Sequence, residues 1–233
     1  MAIAAGALLT GSVATAHAPV ATYEVTITDL TRGQPLTPPV VATHRAATRV
    51  FKVGRPASFA LKEIAENGNL APMIDQLESD RRVADVAAGD EPLVAAGLPG
   101  SAMFDDSVTL TVSATKGARF LSVASMLICT NDGFTGVDRL RLPRKVGKTV
   151  VVRSAGYDAG TERNTEDFAD IVPPCQALVG VTSGEPGTGT SNPALAEGGV
   201  IRHHRGIAGG ADLVPAVHGW TDPVAEISVK RVS

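Results

Sequence analysis

Tyr23, Val25 and Ile27 alternate with Glu24, Thr26 and Thr28, a pattern that predicts a half-buried β-strand near the start of the chain. A proline-rich connection over 32–39 follows, and 40–44 (Val-Val-Ala-Thr-His) predicts a short strand or extended segment. The apolar spacing then becomes helical. Residues 59–66 read as a helix stopped by Asn67-Gly68, and 70–86 as a second one, with Pro72 in its first turn and Ile74, Leu77 and Val83 on its apolar side. Strict alternation resumes over 105–114, where Val108, Leu110 and Val112 share a face. Residues 120–128 form a longer apolar run suited to a central strand, and 148–153 predict another. The glycine-rich segment 184–199 predicts a flexible loop, the least ordered part of the chain. A last strand over 225–232 has Ile227 and Val229 inward and Val232 out of phase. Short strands separated by Gly/Pro turns, one helical insertion and no helices between later strands imply an all-β antiparallel sandwich rather than a parallel α/β fold.

Composition narrows the function classes. The chain has 233 residues and a formal net charge of −3, without the basic surplus that a nucleic-acid binder shows. Hydrophobic residues reach 44% while aromatics are only 4%, so Ala and Val fill the core. No segment approaches the ~20 apolar residues of a membrane span. Residues 1–16 resemble a signal peptide: Ala2 to Leu9 is a short apolar stretch, and Ala14-Thr15-Ala16 and Ala16-His17-Ala18 are small-residue cleavage patterns. Cleavage after Ala16 leaves a chain from His17 with its domain over 19–233, secreted, periplasmic or held at the cell surface; an Ala-rich leader on a cytosolic protein is the alternative. Cys129 and Cys175, the only cysteines, form one disulfide or remain two buried thiols.

Enzyme signatures are missing: no phosphate-binding Gly-rich loop, GxSxG elbow or HExxH. Neighbouring His203 and His204 would point to opposite faces of a strand and cannot chelate together, so with Arg202 and Arg205 they read as an exposed basic patch in a loop. Acidic residues carry more information. Segment 131–138 (Asn-Asp-Gly-Phe-Thr-Gly-Val-Asp) follows the apolar run ending at Ile128, and 157–162 (Tyr-Asp-Ala-Gly-Thr-Glu) follows the strand at 150–153. Two such loops at one end of a sandwich suit a hard cation that takes 6–8 oxygen ligands, Ca²⁺. Asp and Gly also belong in any turn, so spacing alone leaves an ordinary pair of turns as the alternative.

The paired segments Asp132-Gly133-Phe134-Thr135-Gly136-Val137-Asp138-Arg139-Leu140 and Tyr157-Asp158-Ala159-Gly160-Thr161-Glu162 resemble the spondin N-terminal domain, found in F-spondin, mindin and many bacterial secreted proteins. Tyr23–Ile27 and Leu61–Asn69 look similar too, so the resemblance covers about 22–232. It implies a sandwich of about eight antiparallel strands, related in shape to C2 domains, with Ca²⁺ at loops on one end. Matched by position, the metal ligands are Asp132, Asp158 and Glu162; Asp138 is a loop-structuring carboxylate. Gly133 stands where the family has Trp, and Glu162 where it has Asp.

The resemblance further implies a non-enzymatic binding or adhesion module with no catalytic residues and an unknown cell-surface or matrix ligand, protein or glycan. Two rivals use the same features. A secreted metal- or carboxylate-dependent hydrolase needs His44 or His218 beside the acidic loops. A structural subunit of an extracellular matrix or filament requires self-association.

Overall fold

Alternation is realised directly in the first strand, β1 (Ala21–Asp29), which buries Tyr23, Val25 and Ile27 and leaves the intervening residues half-exposed. The computed structural model describes residues 20–233, so the predicted signal segment 1–16 lies outside the described residues. In chain order there follow β2 (Val40–His44), α1 (Phe59–Asn67), α2 (Ala71–Ser79), β3 (Val83–Ala88), β4 (Ser107–Ala114), β5 (Phe120–Met126), β6 (Gly133–Arg141), β7 (Thr149–Ser154), β8 (Gly156–Asp158), α3 (Pro174–Val179), β9 (Arg202–His203), α4 (Pro215–His218) and β10 (Ala225–Arg231).

The strands form two sheets, ordered β4-β1-β10-β7 and β3-β2-β5-β6-β8-β9, and every pairing is antiparallel. The fold is an all-β sandwich with a small helical insertion. One core lies between the sheets, where Val25, Ile27, Ile227 and Val229 meet Val41, Leu121 and Val123. A second covers the outer face of the six-stranded sheet, where Leu61, Ile64, Met73 and Leu77 of the helices pack on Ala42, Ala124, Met126 and Phe134. β2 and β5 are therefore covered on both sides, which is why they read as unbroken apolar runs rather than alternating ones. β10 closes the four-stranded sheet against β1, and the two described chain ends meet there: Thr22 N–H donates to Ser233 Oγ at 3.1 Å, and Val232 N–H to the Thr22 carbonyl at 2.9 Å.

Two sequence expectations need correction. The second helix ends at Ser79 instead of continuing to 86, because Asp80 accepts from the Arg82 backbone and side chain and from Thr48, turning the chain into β3. Val83 and Val86 have helical spacing, but pairing with β2 wins. Segment 133–138, expected as a loop, is the first part of β6. Segment 184–199 is a loop, as expected, with one 3₁₀ turn over Pro193–Leu195 capped by Asn192; Leu195 is buried, and Gly199 N–H donates to the Gly160 carbonyl.

Candidate metal centre

The acidic segment begins where β5 ends. Thr130 closes a tight turn, donating its hydroxyl to the Leu127 carbonyl at 2.6 Å and accepting the Gly133 N–H at 2.9 Å. A Cβ on Gly133 would sit 2.3 Å from that hydroxyl, so Thr130 fills the space and no side chain fits at 133. Cys129 bonds to Cys175 at the start of α3, with Cα atoms 5.0 Å apart, tying this turn to the segment beyond β8.

Pairing of Gly133 with Asp158 between β6 and β8 brings the two acidic motifs side by side. Asp132 is fully buried; its Oδ2 accepts the backbone N–H groups of Thr161 (2.8 Å) and Glu162 (3.1 Å), while Oδ1 is buried without any hydrogen-bond partner. Burial, reinforced by the charges of Asp158 and Glu66 and opposed by the two N–H donors, pushes the Asp132 carboxyl up to about 7. Glu162 is pushed up to about 7 by burial and then by Glu66, Asp132 and Asp170, with one N–H from Asn192 at 3.3 Å working against this. Asp158 is better satisfied. Its Oδ1 accepts from Gly160 N–H, and its Oδ2 from Asn164 (2.9 Å) and the Arg202 guanidinium (3.0 Å).

The model of the Spondin_N family matches residues 32–172, a span holding both acidic motifs and α1. This chain belongs to the spondin N-terminal domain family. A search of curated proteins returned no match. The family is extracellular in type and generally non-enzymatic. No helix among the described residues is long and apolar enough to cross a membrane.

Within this spondin domain the structure adds a carboxylate that sequence reasoning missed. Glu66, in the last turn of α1, has a side chain only 2% exposed; its Oε2 stands 3.5 Å from Lys62 Nζ and its Oε1 is buried without a partner. Its charge acts on both Asp132 and Glu162. A signal was present: Glu66 follows Leu61, Ile64 and Ala65 on the buried side of the helix, where an unpaired acid is rare. Asp138 lies away from the group, bonded to Arg49 and to Val50 N–H, so it stands outside the cluster. Arg202 is not part of a free basic loop but lies on β9, paired with Asp158 and Glu197.

The donors suit a hard cation: all are oxygen, two oxygen atoms are buried unpaired, and Lys62 and Arg202 neutralise only the rim. Among the described residues no group of three or more His, Cys, Asp or Glu side chains is arranged to hold a metal ion as it stands. Asp132 and Glu162 have free lone pairs for a cation, whereas Asp158 already serves three donors.

Proposed function

We propose that this chain is a secreted, calcium-binding and non-enzymatic module that binds a ligand at a cell surface or in a matrix. The observation that carries the metal reading is the pair of buried, unpartnered carboxylate oxygens, Asp132 Oδ1 and Glu66 Oε1, inside one acidic cluster. Leaving such groups unpaired is costly, and a divalent cation offsets both their desolvation and their mutual repulsion. Asp132, Asp158 and Glu162 would hold the ion, Asp158 through its remaining lone pairs, and Glu66 would complete the charge balance. Bound Ca²⁺ would fix the loop after β5 against the loop after β8.

Secretion is supported by the family, by the signal-like segment and by the Cys129–Cys175 bond, which persists in oxidising compartments. The hydrolase reading has little to build on. His44 pairs across from Phe120, at the end of β5 opposite the acidic turn, and donates or accepts only at Ser122 and the Arg45 carbonyl. His218 is buried against Phe168 and Val214, and burial lowers its pKa without help from any carboxylate.

Thermal unfolding in Ca²⁺ and in chelator tests the metal reading. A hundredfold excess over Kd stabilises the folded state by about 2.7 kcal/mol, or roughly 5–10 °C for a domain of this size. Asp132→Asn should remove most of that shift. A melting temperature indifferent to both Ca²⁺ and chelator would overturn the reading.

A further inference from the structure

The far end of β6 carries the opposite charge. Lys116, Arg119, Arg141, Arg144 and Arg231 line a groove of about 560 Å³ to which no Asp or Glu contributes. Arg141 also lines an adjoining groove of about 510 Å³, together with Arg139; the one carboxylate there, Asp138, is paired with Arg49 at 2.9 Å. None of these six cations is paired with an Asp or Glu side chain among the described residues, and residues 1–19 contain no carboxylate. Six such cations would be unremarkable on a basic protein. Here six without an acidic side-chain partner share one face of a chain whose net charge is −3.

The guanidinium groups of Arg139 and Arg141 are held in place by a partner that does not neutralise them. Arg139 and Arg141 both lie over the Phe120 ring, 5.2 and 5.4 Å from its centroid. Arg231 donates to the Arg144 carbonyl and, from Nε at 2.6 Å, to the backbone oxygen of Ser233. Tyr23 donates its hydroxyl to the Pro143 carbonyl at 3.3 Å, fixing the wall between Arg141 and Arg144. Arg139 sits in left-handed backbone, φ 62°, a conformation a non-glycine residue rarely adopts, and its buried Nε has no partner. Orienting charges through rings and carbonyls lowers the entropy lost on binding while leaving the full charge for a ligand.

We propose that this track binds an anionic polysaccharide, with its sulfate or carboxylate groups taken by the arginine forks. Guanidinium pairs with either group through two parallel hydrogen bonds. Two grooves joined through Arg141 suit a chain with repeated anions better than a flat bilayer, which would meet only the rims. Single-stranded nucleic acid needs aromatic faces for base stacking. Phe120 is already covered by two guanidinium groups and Tyr23 is buried, so this face offers none. The inference gives a partner class to the binding role proposed above and does not depend on the calcium site.

The test is titration of the full chain with four probes beside a neutral dextran: a heparin dodecasaccharide, an oligogalacturonate, phosphatidylserine vesicles and poly(dT). Binding of one or both charged oligosaccharides at about 0.15 M salt is expected, and which one binds separates sulfate from carboxylate recognition. The triple variant Arg119→Gln/Arg141→Gln/Arg144→Gln should weaken it at least tenfold and reduce the dependence of log Kd on log salt by about two. A control triple at other exposed positions, Arg32→Gln/Arg81→Gln/Arg205→Gln, has the same loss of charge and should change Kd less than threefold. If the first triple melts early, Lys116→Gln/Arg144→Gln, both exposed, should still weaken binding severalfold. Affinity no better than for dextran, equal loss in the control triple, or tighter binding to vesicles or poly(dT) would each overturn the proposal. Melting indifferent to calcium with oligosaccharide binding intact would instead remove the metal reading alone.

Discussion

One strand joins two opposite electrostatic environments. Asp132 immediately precedes β6, while Arg139 and Arg141 lie at its end, about 30 Å away along nine residues. At the acidic end Glu66, Asp132 and Glu162 are buried, and burial together with neighbouring carboxylates raises the proton affinity of Asp132 and Glu162. At the basic end the cations stay in contact with water, held by an aromatic ring and by carbonyls. Burial turns clustered like charge into a demand for one counterion at a fixed point. Exposure turns it into a field that attracts a diffuse partner.

The largest separation of the two ends should come from removing the disulfide. Cys129→Ala/Cys175→Ala opens a loop of 46 residues, and the lost constraint on the unfolded chain corresponds to about 4 kcal/mol. Because Cys129 lies three positions before Asp132, the calcium response in thermal melts should shrink. Oligosaccharide affinity at the far end, measured below the new melting point, should not. Equal loss at both ends would mean that the ends are coupled.

A smaller effect distinguishes them by pH. Asp132 and Glu162 hold protons up to about 7 in the folded state but release them near 4 when unfolded. Between those values the folded chain binds more protons than the unfolded one, so metal-free stability should fall as pH rises and level off above about 7. The expected loss is a few kcal/mol between pH 5 and 8 in chelator, and Ca²⁺ should cancel most of it. Asp29, buried and likewise raised to about 7, adds to the same slope; Asp29→Asn subtracts its share. A flat metal-free profile would show that the acidic end is not under charge stress.

The smallest effect is a change of sign at one residue. Glu66→Gln removes a buried charge whose Oε1 has no partner, so the variant should melt about 1–3 °C higher than the parent in chelator. In saturating Ca²⁺ the order should reverse. The same order under both conditions would exclude Glu66 from the site.

Much of this was legible in the sequence where one physical rule dominated. β1, β4 and β10 alternate because one face is buried, and the two acidic motifs, read in order, mark the loops that meet at Gly133 and Asp158. The rest depended on tertiary partners. β6 looks like a turn because Gly133 and Gly136 interrupt it. Gly136 is required where the strand crosses β5: a Cβ there would lie 1.9 Å from the Val123 carbonyl, and φ is 155°. Arg202 was hidden because its importance lies in what approaches it from distant segments. The basic track joins residues from two strands and two loops, so no local window contains it.

The meeting of Thr22 with Val232 and Ser233 has a further consequence. A domain whose two ends leave side by side from one end of a sheet can be spliced into a surface loop of another protein, or strung in series, without stretching either host or guest. Ala21 and Arg231 also line the basic groove, so a linker attached at either end would emerge beside it. In such a fusion the linker itself becomes a shutter, and its length and charge would tune access to the groove.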